Sequence, residues 1–155
     1  MSSEEMKKEN SKVSQGKLNR ASGARFELKV RKDLEAKEWI TDKWTKNVDL
    51  EKQELIPAKR KFNPFNKVMS IGTGFPDFIG FKRIVIEEKK EDYQAYKVIG
   101  VEAKSNGTLD KTEKQKCEFL LKNNIFKYII IAKKGEKRGE IKYLNFETKK
   151  EFDIF

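Results

Sequence analysis

"VIGVEAKS", residues 98–105, is the stretch on which the reading of this chain turns. It is apolar up to Glu102 and then carries Lys104. Side chains alternate along a strand, so Val98, Gly100, Glu102 and Lys104 share one face, and Ile99, Val101 and Ala103 share the other. Glu102 and Lys104 then stand ~6.6 Å apart along the strand at the usual rise. Gly100 leaves room on that face for something to approach. A second apolar stretch, "GFPDFIGF" (74–81), holds a single acid, Asp77, behind Pro76. If the two stretches pair as neighbouring strands, Asp77 and Glu102 come within reach of one ion. Two buried carboxylates side by side repel, and a cation between them relieves the repulsion.

Working outward, Leu18, Ala21, Phe26, Val30 and Leu34 recur at helical spacing, which predicts a helix from about Lys17 to Glu38. "WITDKWTK" (39–46) alternates as a first strand. Residues 76–86 and 96–105 read as the two central strands, joined by an exposed, charged connection. A helix over 109–124 is capped by Asp110 or Thr108, with Glu113 as the capping-box acid and Asn123–Asn124 at its end. "KYIIIAKK" (127–134) is a buried strand and "EIKYLNF" (140–146) a last one, with the turn between Gly135 and Gly139. This order predicts an α/β fold, a central mixed β-sheet flanked by helices. Residues 1–16 read as a flexible polar tail and 17–155 as a single domain.

Residues 47–74 read as a long basic loop or insertion, with room for a short strand. Within it Lys59, Arg60, Lys61 and Lys67 interleave with Phe62 and Phe65. Such a segment grips phosphates while an aromatic ring stacks on a base. The plainer alternative is a solvated loop with its Phe rings tucked down.

Bulk composition narrows the chemistry. The 155 residues suit one domain, and 35 Lys and Arg against 25 Asp and Glu leave a net charge of +10. That balance suits a polyanionic partner, nucleic acid first, although a Lys- and Glu-rich thermophile surface has a similar composition. The chain has no histidine. This excludes the histidine general base, the Ser-His-Asp triad, histidine-metal nucleases and the usual zinc hydrolases. The single cysteine, Cys117, excludes an internal disulfide and a cysteine zinc site, and reads as a small buried residue. With no signal-peptide pattern and no membrane-length apolar run, a cytoplasmic protein of a prokaryote or virus is the expectation. An enzyme built from this alphabet works with carboxylates, Lys and an oxygen-preferring ion. Mg²⁺ or Mn²⁺ fits, polarising a phosphoryl group and lowering the pKa of water. Lys104 would orient or help deprotonate that water and steady the developing negative charge.

Asp77 behind Pro76, followed by Glu102-x-Lys104, resembles the PD-(D/E)xK nuclease superfamily. "GFPDFIGF", "GVEAKSNGTL" and the later Gln115 are similar to the segments of VRR-NUC nucleases and archaeal Holliday-junction resolvases. "GARFELKVRKDLEAKEW" (23–39) is similar to the resolvase N-terminal helix. The similarity covers roughly residues 20–134, and residues 47–74 have no counterpart in it. The resemblance implies a restriction-endonuclease-like fold and a Mg²⁺- or Mn²⁺-dependent endodeoxyribonuclease. It implies Asp77 and Glu102 as metal ligands, with Glu27 as a further ligand or water-mediated contact. Lys104 would be the catalytic lysine and Gln115 a supporting polar residue. Branched DNA such as a Holliday junction, in recombination or repair, is the implied substrate. A homodimer follows, because a resolvase makes two matched cuts.

Each residue has a plainer reading. Glu87 with Lys89, and Glu88 with Lys90, form a rival Glu-x-Lys, but residues 87–92 are charged on both faces, as a solvated hairpin tip is. Asp77 alone reads as a turn acid. Glu102 and Lys104 read as an edge-strand charge pair, Glu27 as an exposed partner of Arg31, and Gln115 as a surface amide. Two other functions stay open: a flap, nicking or other VRR-NUC-type nuclease, and a non-catalytic basic DNA-binding module whose acids are structural.

Overall fold

Phe26, Val30 and Leu34 fall every fourth residue and form the only fully buried stripe on α1 (Ser3–Ala36) among the described residues. The computed structural model describes residues 2–72, 74–86 and 94–155, apart from the side chains of Lys61, Ser70 and Ile71. α1 begins well before Lys17. Ser2 caps it, accepting from the Glu5 N–H, while Glu5 accepts from the Ser2 N–H. Residues 3–16, read from sequence as a tail, are therefore helical. Good helix formers and a capping box are enough to make a helix there. A helix that buries no face leaves no hydrophobic period to read. Leu18, which suggested periodicity, is exposed.

Five strands make a mixed sheet in the order β1-β6-β7-β8-β9. These are β1 (Ile40–Lys43), β6 (Phe78–Ile84), β7 (Ala95–Ala103), β8 (Ile129–Lys134) and β9 (Ile141–Asn145). Only β7–β8 is parallel, and α2 (Lys111–Lys122) makes the crossover between them. Alternation sorts the core into two layers. Ile99, Val101, Ile130 and Ala132 pack with Phe26, Val30 and Leu34 of α1. Ile129 and Ile131 pack with Cys117 and Leu120 of α2. The expected mixed sheet flanked by helices is thus present. Cys117 is buried as expected. Among the described residues no helix is long and apolar enough to cross a membrane.

Residues 47–72, read from sequence as part of a long loop or insertion with room for a short strand, are built as hairpins. They complete one two-stranded hairpin, β2 (Lys46–Asp49) with β3 (Glu54–Pro57), and form a second, β4 (Arg60–Asn63) with β5 (Val68–Ile71). Their turns carry no Asn-Gly or Asp-Gly signal. Asp49 Oδ1 accepts the N–H groups of Glu51 and Lys52, and Asn63 Oδ1 accepts that of Phe65. Gln53 and Lys67 take positive φ. The first hairpin docks on the body: Val48 is buried in the α2 layer, and Lys116 donates to Asn47 Oδ1 at 2.9 Å. The rival acids Glu87 and Glu88, with Lys89 and Lys90, lie outside the described residues.

Candidate functional site

Register brings Asp77 and Glu102 together. β6 and β7 run antiparallel with Phe78 opposite Val101, so one further step sets Asp77 opposite Glu102. Pleat alternation turns both toward the α2 side, because Val101 faces α1. The contact is reciprocal. The Asp77 N–H donates to Glu102 Oε2 at 3.1 Å, and Asp77 Oδ2 accepts from the Ala103 N–H at 2.9 Å. Across the sheet the same row continues, with the Trp44 N–H donating to the Asp77 carbonyl at 3.1 Å and Glu102 beside Ile131. The Phe75–Pro76 peptide before Asp77 is cis.

Asp77 and Glu102 are the only buried acids among the described residues, 7% and 5% exposed. Burial is the first cause of the upward shift in both carboxyl pKa values, and for Glu102 the charge of Asp77 adds to it. Such a pair favours a proton or a cation between its members.

Lys104 follows the end of β7, its N–H still donating to the Ala132 carbonyl at 2.9 Å. Its Nζ lies 3.8 Å from Glu102 Oε1 and makes a closer ion pair with Glu113 of α2. Burial alone lowers the ammonium's pKa, but the hydrogen bond to Glu113 and the charges of Glu102, Glu113 and Asp77 outweigh it, so the net shift is upward. Lys104 is therefore a held cation. It suits stabilisation of negative charge.

Glu27 is half-buried on α1, with its pKa raised by burial and lowered in part by Lys43 and Lys104. Its charge is felt at Asp77. Arg31 pairs with Glu35 at 3.1 Å, not with Glu27. Among the described residues no three Asp, Glu, Cys or His side chains stand close enough to hold an ion. The structure thus brings Asp77, Glu102 and Lys104 together and leaves Glu27 at electrostatic range. Gln115 is exposed on α2. It lies about 200° around the helix from Glu113, which faces Lys104. Of the cations expected to meet nucleic acid, Lys59, Arg60 and Lys67 are exposed, and the Lys61 side chain lies outside the described residues.

Two features escaped sequence reasoning. Glu113 was explained by its capping box with Asp110, which it does form, so its second bond to Lys104 left no separate signal. The space expected beside Gly100 is filled, because a Cβ there would meet Pro76 Cγ at 2.8 Å and the Phe126 ring at 3.3 Å. Glycine at 100 lets the segment bearing Asp77 lie flat against β7.

The donor set suits a hard divalent ion: two carboxylates, with water and a substrate phosphate completing the shell, is a common Mg²⁺ arrangement. The chain matches no protein-family model, no curated protein and no solved structure.

Proposed function

We propose that this protein is a metal-dependent endodeoxyribonuclease of restriction-endonuclease-like fold that hydrolyses phosphodiester bonds in branched DNA. The observation that carries the reading is the buried Asp77–Glu102 pair with the Lys104 cation beside it, at the end of the β6–β7 ladder. Asp77 and Glu102 would hold the ion, Mg²⁺ or Mn²⁺, with Glu27 biasing the local field. When bound, such an ion polarises a phosphoryl oxygen and acidifies water. The chain's own residues do the rest. The backbone N–H groups of Asp77 and Ala103 fix the two carboxylates. Lys104, aimed by Glu113, stabilises charge that builds on the phosphate. The basic surface draws in the polyanion. In this reading a homodimer presents two sites for paired cuts, and the order of elements β6-β7-α2-β8 supports the resemblance noted above.

The reciprocal bonds between Asp77 and the β7 edge favour a second reading, in which the acids brace two strands in a non-catalytic DNA-binding module. Labelled four-way junction, flap, nicked, single-stranded and duplex DNA, each with Mg²⁺, Mn²⁺ or EDTA, separate the two. Symmetric paired cuts confined to the junction are the expected result. Metal-dependent cutting of another member keeps the chemistry and changes the substrate. Binding without cutting in both metals sinks the nuclease.

Glu113→Gln tests the aiming of Lys104. The amide retains an acceptor for the Asp110 N–H, so α2 keeps its cap. Losing the carboxylate removes a cause of the raised Lys104 pKa. Turnover is expected to fall roughly tenfold, as for other supporting residues, and the alkaline limb of the pH–rate profile should move to lower pH. An unshifted limb would show that Glu113 only caps the helix.

A further inference from the structure

The β4–β5 ribbon, unlike β2–β3, buries none of its described side chains. Phe62 and Met69 stand directly opposite in register and are 58% and 54% exposed. Phe65, in the turn, is 97% exposed. The turn is built rather than loose: Asn63 Oδ1 accepts the Phe65 N–H at 2.9 Å, Asn66 Oδ1 accepts the Val68 N–H at 3.2 Å, and Pro64 limits its own φ. Three large apolar side chains, Phe62, Phe65 and Met69, left exposed together on one short ribbon mark a contact surface.

Charge identifies the occupant. Between Pro57 and Pro76 the chain has Lys59, Arg60, Lys61 and Lys67 and no acid. A polyanion fits this segment, and an acid-poor, lysine-rich ribbon repels a second copy of itself. The root of the ribbon meets the sheet beside Asp77. The Ala58 N–H donates to the Thr45 carbonyl at 2.9 Å, the Phe75 N–H to the Lys46 carbonyl at 2.8 Å, and the Trp44 N–H to the Asp77 carbonyl. Four residues per strand carry the tip about 13 Å from that root, roughly four nucleotide steps at ~3.4 Å each.

We propose that β4–β5 is a basic, aromatic-tipped finger that recognises nucleic acid with unpaired bases, Phe65 stacking on an exposed base while Arg60, Lys59 and Lys67 contact phosphates. In regular duplex each base face is covered by its neighbours. A ring on a rigid turn gains a stacking partner only where the stack is broken, at a junction, gap, bulge or single strand. This names the substrate class for the nuclease proposed above and rests on that reading for the nearby scissile phosphate. The binding itself requires no turnover.

The full chain is titrated in EDTA against a duplex and against the same duplex with a short gap containing 2-aminopurine, by anisotropy and fluorescence quenching. Wild type is expected to bind the gapped DNA about tenfold or more tighter than the duplex and to quench the probe, an effect in the range of one base–aromatic stack. Phe65→Ala should lose that preference and the quenching while keeping duplex affinity, and Phe65→Trp should restore both. Arg60→Gln or Lys67→Gln should weaken both DNAs alike and flatten the salt dependence. Phe65 is solvent-exposed, so an unchanged circular dichroism melt is expected for its variants. Phe65→Ala with the gap preference and quenching intact, or with loss equal on both DNAs, overturns the finger. So does a variant that changes only self-association. Quenching by a chain that never cuts leaves the finger standing and removes the nuclease. Cutting unaffected by Phe65→Ala, with no quenching in wild type, does the reverse.

Discussion

Asp77→Asn is expected to lower metal-dependent cleavage by roughly 10³-fold, the equivalent of several kcal/mol of lost charge stabilisation at about 1.4 kcal/mol per tenfold. DNA affinity in EDTA should hardly change. The substitution is chosen for its shape. Asparagine retains a side-chain oxygen in place of Asp77 Oδ2 to accept the Ala103 N–H, so the brace across β6 and β7 persists. What disappears is a buried negative charge that repels Glu102. Folding should therefore be as stable as wild type, or more so, when no divalent ion is present. A functional carboxylate shows that combination, stability kept and turnover lost. A purely structural one keeps both, because a polar isostere that preserves the bond preserves the role. Single-turnover cleavage and thermal melts on one preparation measure both quantities. Turnover retained by Asp77→Asn would remove this residue from the chemistry.

The parts of the fold that could be read ahead of the structure are those where burial imposes a period. Ile129 to Ala132 serve two core layers at once, leaving a short run with no polar break. Val101 must face α1, and that alone turns Glu102 to the other side, where the register delivers Asp77. The pair was legible because two acids interrupt strands that are otherwise apolar. The unread parts bury nothing or hide behind another explanation. Residues 3–16 form helix through capping and propensity without a buried face. The ribbon β4–β5 turns on Asn63, Asn66 and a positive φ at Lys67, where a glycine would have announced it. Gln115 lies on the same helix as Glu113, but the 100° step between residues sends its side chain elsewhere. Linear spacing from Lys104 carries no information about that phase.

The stability of the metal-free chain should fall as pH rises above the ordinary carboxylate range, and a divalent ion should reverse the trend. The sign follows from the direction of the shifts. Asp77 and Glu102 have folded pKa values raised from 3.8 and 4.5, chiefly by burial. The folded chain thus holds protons that the unfolded chain has released. Their contribution is complete below the unfolded values and is lost as pH climbs through the folded ones, at up to about 1.4 kcal/mol per pH unit for each group. For a chain of this length each kcal/mol shifts Tm by about 2–4 °C. Melts in EDTA between pH 5 and pH 8 should therefore drop by several degrees more for wild type than for Glu102→Gln, which cannot ionise there. Subtracting the variant removes the contribution of other titrating groups. A divalent ion takes the place of those protons, so the Tm gain from Mg²⁺ or Mn²⁺ should grow with pH. At 100 times Kd it is worth about 2.7 kcal/mol. The gain should vanish in Glu102→Gln, while NaCl at matched ionic strength should not reproduce it. A Tm gain that is equal at both pH values, or that survives in the variant, would place the ion away from Asp77 and Glu102. The buried pair would then be a strand brace that tolerates its own repulsion.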